Sequence, residues 1–258
     1  MPRDQLGLSG IVSIPVRPPY PWQATLRYLT PRLTPGIETI DSEKYVRRTP
    51  GGGVSVEYDA AAQALRCSVD GSRAPADWPA RVQQLFDTSH DPGPTDRALR
   101  ASPVLQRRVR ALPGVRAPGC WAPFELCLRV ILGQQVSVKA AHTLMGRLVA
   151  LCPGLDPEKL LETDIGTVGL PGRRLQTVRR LAERVAAGGI RFDQQPWDEV
   201  AAQLAEVPGF GPWTLQYLGI RLGRDADAFP EQDLGLMRAT GAATPRELRR
   251  PGASLREI

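Results

Sequence analysis

Several residue types are scarce in this 258-residue chain, and each scarcity excludes a chemistry. There are two histidines, His90 and His142, so serine–histidine or cysteine–histidine nucleophilic catalysis has almost nothing to build on. The four cysteines, Cys67, Cys120, Cys127 and Cys152, include no CxxC pair. The close ligand spacing of a structural zinc site is therefore missing. A disulfide framework is not expected in a chain of this size and compartment, and the cysteines read as small buried hydrophobes. No apolar run approaches the ~18 residues of a membrane-spanning helix. The first ten residues, MPRDQLGLSG, lack the apolar centre of a signal peptide. A cytoplasmic protein without membrane association is expected, with any catalyst drawn from carboxylates, hydroxyls or amines.

What is present is basic and rich in arginine. Lys44, Lys139 and Lys159 are the only lysines, so 30 of the 33 cationic residues are arginine. That bias reflects genomic base composition as much as function. The formal net charge is +6, which makes nucleic acid a natural partner. The length fits one or two domains. Glycine and proline together number 50, a loop-rich value below that of disordered chains.

The two ends of the chain are patterned differently. Trp22, Leu26 and Leu29 have helical spacing within residues 22–33, with Pro31 near the end. Residues 54–58 and 65–69 alternate apolar and polar and read as paired strands of a sheet with one wet face. Residues 78–86 read as a helix, and the turn-rich stretch 89–94 as a domain boundary. Beyond it everything reads as helical. Thr95 is expected to cap a helix through Ala101, and Pro103 to start another. Further helices are expected over 124–132, ending at Gly133, from a Ser137 cap to Leu151, and over 172–187, 197–204 and 213–222. The predicted fold class is α+β. A small domain over residues 1–90 with an antiparallel sheet and helices precedes an all-α domain over 95–258.

The sharpest local signal is Val207-Pro-Gly-Phe-Gly-Pro-Trp-Thr214, lying between two helical segments. Two glycines flanking one apolar residue permit a tight turn with a bare backbone. Pro212 suits the start of the second helix, whose free N–H groups and positive dipole end attract an anion. Phe210 is expected to tuck inward. This is the pattern of a helix-hairpin-helix, which holds a DNA phosphate without reading bases. An ordinary helix corner is the plainer alternative. Further on comes Phe229-Pro-Glu-Gln-Asp-Leu-Gly-Leu236, with Asp233 at a helix start. Alone, Asp233 reads as an N-cap that asparagine or serine would serve equally well, or as a catalytic carboxylate beside the hairpin.

Together these segments resemble the helix-hairpin-helix DNA glycosylases, specifically the AlkA-type 3-methyladenine DNA glycosylases II. The likeness spans nearly the whole chain. It rests on Arg17-Pro-Pro-Tyr-Pro-Trp22 with Leu29 and Pro35-Gly-Ile-Glu38, on Phe124-Glu-Leu-Cys-Leu-Arg-Val-Ile-Leu-Gly-Gln-Gln-Val-Ser137, and on Gly169-Leu-Pro-Gly-Arg-Arg174. The hairpin and Phe-Pro-x-x-Asp-Leu follow in the family's order.

The resemblance implies a repair enzyme that flips an alkylated base out of double-stranded DNA and hydrolyses its bond to the sugar. It maps the catalytic carboxylate onto Asp233 and the base-pocket aromatics onto Tyr28, Trp213 and Tyr217. Gln135 falls at the wedge that fills the vacated stack. The amides of Gly209, Gly211 and Thr214 fall where phosphates bind. The carbonyls of Ala205, Val207 and Phe210 fall where relatives hold a monovalent cation, Na+ or K+; no other cofactor is implied. Relatives that also nick DNA carry a hairpin lysine at the position of Trp213, and no lysine follows Lys159 here. The monofunctional branch is therefore expected, acting as a monomer.

One departure stands out. Thr244-Pro-Arg-Glu-Leu248 fits the family, whereas residues 249–258 do not, and no tryptophan follows Trp213. The expectation is a chain shortened at its C-terminal side, with one pocket wall reduced. The rival reading is a non-catalytic helix-hairpin-helix DNA-binding protein. Related domains also follow an alkylation-response regulator module, of which no sign is seen.

Overall fold

A computed structural model describes residues 11–49, 52–70, 74–103 and 105–247. The tract 249–258 that departs from the family pattern lies outside the described residues. In chain order the elements are β1 (Ile11–Pro15), α1 (Trp22–Leu29), β2 (Glu38–Asp41), β3 (Lys44–Thr49), β4 (Gly52–Asp59), β5 (Ala64–Asp70) and α2 (Trp78–Phe86). Then follow α3 (Pro92–Ala101), α4 (Gln106–Ala111), α5 (Pro123–Gly133), α6 (Val138–Leu151), α7 (Pro157–Glu162), α8 (Gly172–Ala186), α9 (Trp197–Ala205), α10 (Pro212–Arg221) and α11 (Leu234–Thr240). Among the described residues no strand follows β5, and no helix is long and apolar enough to cross a membrane.

The strands form one antiparallel sheet in the order β1-β5-β4-β3-β2. The predicted pair is β4 and β5, in a register that sets Val54 opposite Val69 and Val56 opposite Cys67. Val54, Val56, Leu65 and Cys67 point inward and are wholly buried. They pack with Trp22 and Leu26 of α1 and Phe86 of α2 in a first core, which Trp121 also joins. α1 stops at Leu29 because Pro31 cannot continue it, and Thr30–Arg32 tightens into a 3-10 turn.

The second core is helical. Leu128 and Ile131 of α5, Met145 and Leu148 of α6, Leu181 of α8, Leu204 of α9 and Leu218 of α10 are fully buried in it. Two capping expectations divide here. Ser137 caps α6 as expected, accepting a hydrogen bond from the Ala140 amide at 3.2 Å. Thr95 does not cap α3; Asp91 does, accepting from the Gly93 amide at 2.9 Å, with Pro92 at the first helical position. An Asx cap followed by proline satisfies an orphan donor and pre-sets φ, so the helix starts inside the stretch that reads as a break. Likewise α4 begins at Gln106 rather than at Pro103. All four cysteines are buried and free, and desolvation pushes the thiols of Cys67 and Cys120 up to about 12.

An ionic network ties the two cores together. Arg47 of β3 donates to Glu125 of α5 at 2.7 Å and to Glu38 of β2 at 3.0 Å, and all three are at least nine-tenths buried. The Tyr45 hydroxyl donates to Glu38 at 2.6 Å, and the Thr34 amide to the same carboxylate at 2.7 Å. Thr34 also donates to Glu125 through its hydroxyl and accepts from Arg129 at 2.9 Å. Burying these charges is tolerable only because each is paired and hydrogen-bonded.

Candidate active site and DNA interface

The hairpin forms where the sequence places it. α9 ends at Ala205, the Phe210 amide donates to the Val207 carbonyl at 3.2 Å, and α10 starts from a Gly211 cap with Pro212 in its first turn. Phe210 is buried and pins the turn, while Pro208, Gly209 and Gly211 are exposed. Gly209 sits at φ +98°, a left-handed conformation that a Cβ would strain. Gly211 is different. Its φ is −81° and a Cβ there would meet nothing within 4 Å, so neither strain nor crowding inside the protein demands glycine. Thr214 has a buried side chain, and its amide belongs to the first turn, where helical N–H groups lack intrahelical partners.

Two neighbours brace this turn. The Thr177 hydroxyl of α8 donates to the Pro208 carbonyl at 2.8 Å, and the Gln134 side-chain amide donates to the Gly209 carbonyl at 2.8 Å. Gln134 follows α5 directly, and its bond fixes the Gln-Gln turn against the hairpin. The next residue, Gln135, is exposed at φ +57°. Such a conformation is uncommon outside glycine.

α10 presents two of the expected pocket aromatics on one face. Trp213 and Tyr217, one turn apart, stack with ring centroids 5.3 Å apart and planes 13° from parallel. Trp213 donates its indole N–H to Asp233 Oδ2 at 3.1 Å. Asp233 Oδ1 accepts from the Leu236 amide at 2.9 Å and so caps α11. One oxygen of Asp233 thus caps α11 while the other is held by the hairpin helix. The loop leading to it is fastened to α10 as well, since the Phe229 amide donates to Gln216 at 2.6 Å. A hollow of about 240 Å3, lined by Trp213, Gln216 and Phe229 among others, opens beside this loop.

Tyr28 of α1 joins the same group from the first core. One guanidinium, that of Arg221, lies 5.3 Å from the Tyr28 ring centroid and 5.6 Å from that of Tyr217. Sequence reasoning missed the two cations behind this pair. Arg221 is buried at 4% exposure and donates to the Tyr217 hydroxyl at 2.7 Å. It also donates to the carbonyls of Pro118 and Gly119, each at 2.6 Å. Arg32 lies over the Tyr28 ring, 4.0 Å from its centroid. One face of Tyr28 is therefore taken by a guanidinium. A signal was available: Arg221 follows Tyr217, and Arg32 follows Tyr28, by one helical turn. Burial raises the Tyr28 hydroxyl above its ordinary pKa. Burial acts the same way on Tyr217, but the Arg221 and Arg32 guanidiniums outweigh it and bring that hydroxyl below the usual value.

The fold is that of the helix-hairpin-helix DNA glycosylases. Residues 11–122 match the family model described as the AlkA N-terminal domain. A probable bifunctional transcriptional activator/DNA repair enzyme AlkA from Mycobacterium tuberculosis is 34% identical over 250 residues. That match covers 88% of this chain but 50% of the relative, so the chain spans about half of that protein's length. DNA-3-methyladenine glycosylase 2 of Escherichia coli is 29% identical over 255 residues, covering 91% of this chain and 88% of the relative. In structure, the 3-methyladenine DNA glycosylase from Archaeoglobus fulgidus superposes with a TM-score of 0.74 at 19% identity, covering 93% and 90% of the two chains. MBOgg1, solved with a low-affinity DNA ligand, gives 0.62 at 16% identity, covering 86% and 89%. Residues 11–122 thus carry the AlkA N-terminal domain, and the chain as a whole is similar to AlkA-type DNA-3-methyladenine glycosylases.

Proposed function

We propose that this chain is a monofunctional DNA glycosylase that removes alkylated bases of the 3-methyladenine type from duplex DNA. The observation that carries the reading is the Trp213–Asp233 hydrogen bond beside the Trp213–Tyr217 stack. It sets a carboxylate against aromatic rings that suit a flipped, electron-poor base. The phosphate lies on the amides of Gly209, Gly211 and Thr214, and Gln135 enters the gap and offers hydrogen bonds to the orphaned base. Alkylation makes the base cationic. It leaves with the electron pair of the C1′–N bond and becomes neutral, while positive charge develops on the sugar. Asp233 stabilises that charge, and water then adds its oxygen to C1′ and releases a proton.

The carbonyls of Ala205, Val207 and Phe210 suit a Na+ or K+ ion. Ala205 ends α9, where helical carbonyls lack partners, and Val207 accepts a single 3.2 Å bond within the turn. Such an ion supplies positive charge under the phosphate.

Incubation of the purified chain with methylated duplex DNA tests the proposal. Release of free 3-methyladenine, leaving an abasic strand, supports it. Tight duplex binding without base release would return the protein to the non-catalytic reading.

A further inference from the structure

A second cleft, of about 780 Å3, lies on the α8 side of the hairpin. Arg173, Arg174 and Arg180 line it, with Gln134, Gln135 and Gln176. No carboxylate contributes to this lining, and none of Tyr28, Trp213, Tyr217 or Asp233 does. Arg180 leans on Glu183 at 3.6 Å. Among the described residues no carboxylate comes within ion-pairing distance of Arg173 or Arg174. Two unpaired guanidiniums beside three amide side chains match a phosphate backbone and the edges of unpaired bases.

The position of the cleft selects which strand that is. Gly209 and Gln135 both line it, so the hairpin and the wedge form its near wall. The hollow beside Trp213 is a separate pocket, along α10 and the loop before Asp233, and shares no lining residue with this cleft. A flipped nucleotide and its strand turn toward that pocket. The orphaned base and its strand are left facing α8.

We infer that the Arg173–Arg174 pair at the head of α8 grips the strand opposite the lesion, beside the base that Gln135 leaves unpaired. This rests on the glycosylase reading and extends it. It makes duplex recognition a two-sided grip, with the hairpin holding the lesion strand and α8 the complement.

The experiment compares wild type with an Arg173→Gln, Arg174→Gln double variant. Anisotropy is measured on an abasic-analogue duplex and on the same lesion strand alone, across a salt series. Arg173 is exposed and Arg174 half-buried at the rim, so the fold should survive, as a melting curve will verify. Duplex affinity should fall at least about 10-fold, while single-strand affinity changes less than about twofold. The salt slope for duplex should drop by about 0.9 for each phosphate that is no longer neutralised. A paired Lys substitution should restore most of that slope, because neutralising a phosphate needs charge rather than a fork. Equal losses on duplex and single strand would place the arginines on the lesion strand and overturn the inference. Unchanged duplex affinity would overturn it as well. A wild-type chain with no affinity for either DNA would defeat the glycosylase reading itself, a separate outcome.

Discussion

Trp213 of α10 and Asp233 of the following loop are joined by a 3.1 Å hydrogen bond from the indole N–H to Oδ2, leaving Oδ1 to cap α11. The carboxylate is thus oriented from two directions, one belonging to the hairpin helix and one to its own helix. Changing Trp213→Phe keeps a ring stacked on Tyr217 and removes only the donor. Single-turnover base release should fall about 10-fold, as for loss of one hydrogen bond to a charged group. The melting temperature should hardly move, because the Leu236 cap remains. A wild-type rate in this variant would show that the indole bond does not set the carboxylate's role.

The hairpin glycines should behave differently from each other. Gly209→Ala forces a side chain into φ +98° and should cost on the order of 1 kcal/mol of stability as well as DNA affinity. Gly211→Ala meets no neighbour within 4 Å and should leave stability nearly unchanged. If the proposed phosphate lies on this amide, the added methyl group crowds it, so affinity should fall equally for damaged and undamaged duplexes. Denaturant melts and anisotropy on both duplexes check this. Loss confined to damaged DNA would assign Gly211 to the base pocket instead.

Product chemistry follows from the lysine census. On the proposed reading Trp213 stands where strand-nicking enzymes hold a lysine, and no lysine follows Lys159. Reaction products should be intact abasic strands, cleaved only after alkali. Borohydride should not trap a covalent complex, since the proposed site offers no amine to form a Schiff base. A trapped adduct on gel would contradict the monofunctional reading.

The buried network makes stability depend on acidity. Burial acts to raise the Glu125 carboxyl, yet Arg47, Thr34 and Arg129 hold it below the usual carboxylate value. Its folded pKa is lowered, so its contribution is complete above the unfolded value of about 4.3 and is lost as pH falls through the folded value. Denaturant melts should show stability dropping below about pH 4. Glu125→Gln should be less stable at neutral pH by about 3–5 kcal/mol, the cost of breaking a buried pair. It should also lose less on acidification than wild type does. A variant with the wild-type acid dependence would move that dependence to other carboxylates.

Much of the helical half is readable from the sequence, because its helices carry plain apolar stripes and recognisable starts at Ser137, Gly172 and Pro212. The hairpin is readable for the same reason, since glycine and proline there encode backbone geometry directly. The sheet is half readable. β4 and β5 alternate cleanly, but β3 buries Arg47 at a position where alternation calls for an apolar side chain. β1 exposes Ile11 and Val12, and β2 buries Glu38 while its other residues stay exposed or half-buried. Charges placed inward for pairing erase the period on which a strand assignment depends. The site divides similarly. Asp233, Trp213 and Tyr217 lie within one readable stretch, whereas Arg221 gains its meaning only when Pro118, Gly119 and Tyr28 arrive from elsewhere in the chain.

The most direct test is single-turnover release of 3-methyladenine by wild type and by Asp233→Asn. Asparagine caps a helix as well as aspartate and nearly keeps its shape, so folding and duplex affinity should persist. Removing the charge should slow base release by roughly 100-fold or more, as when a preorganised electrostatic partner is lost. Near-wild-type release by the Asn variant would contradict a catalytic Asp233 and leave it as the cap of α11 alone.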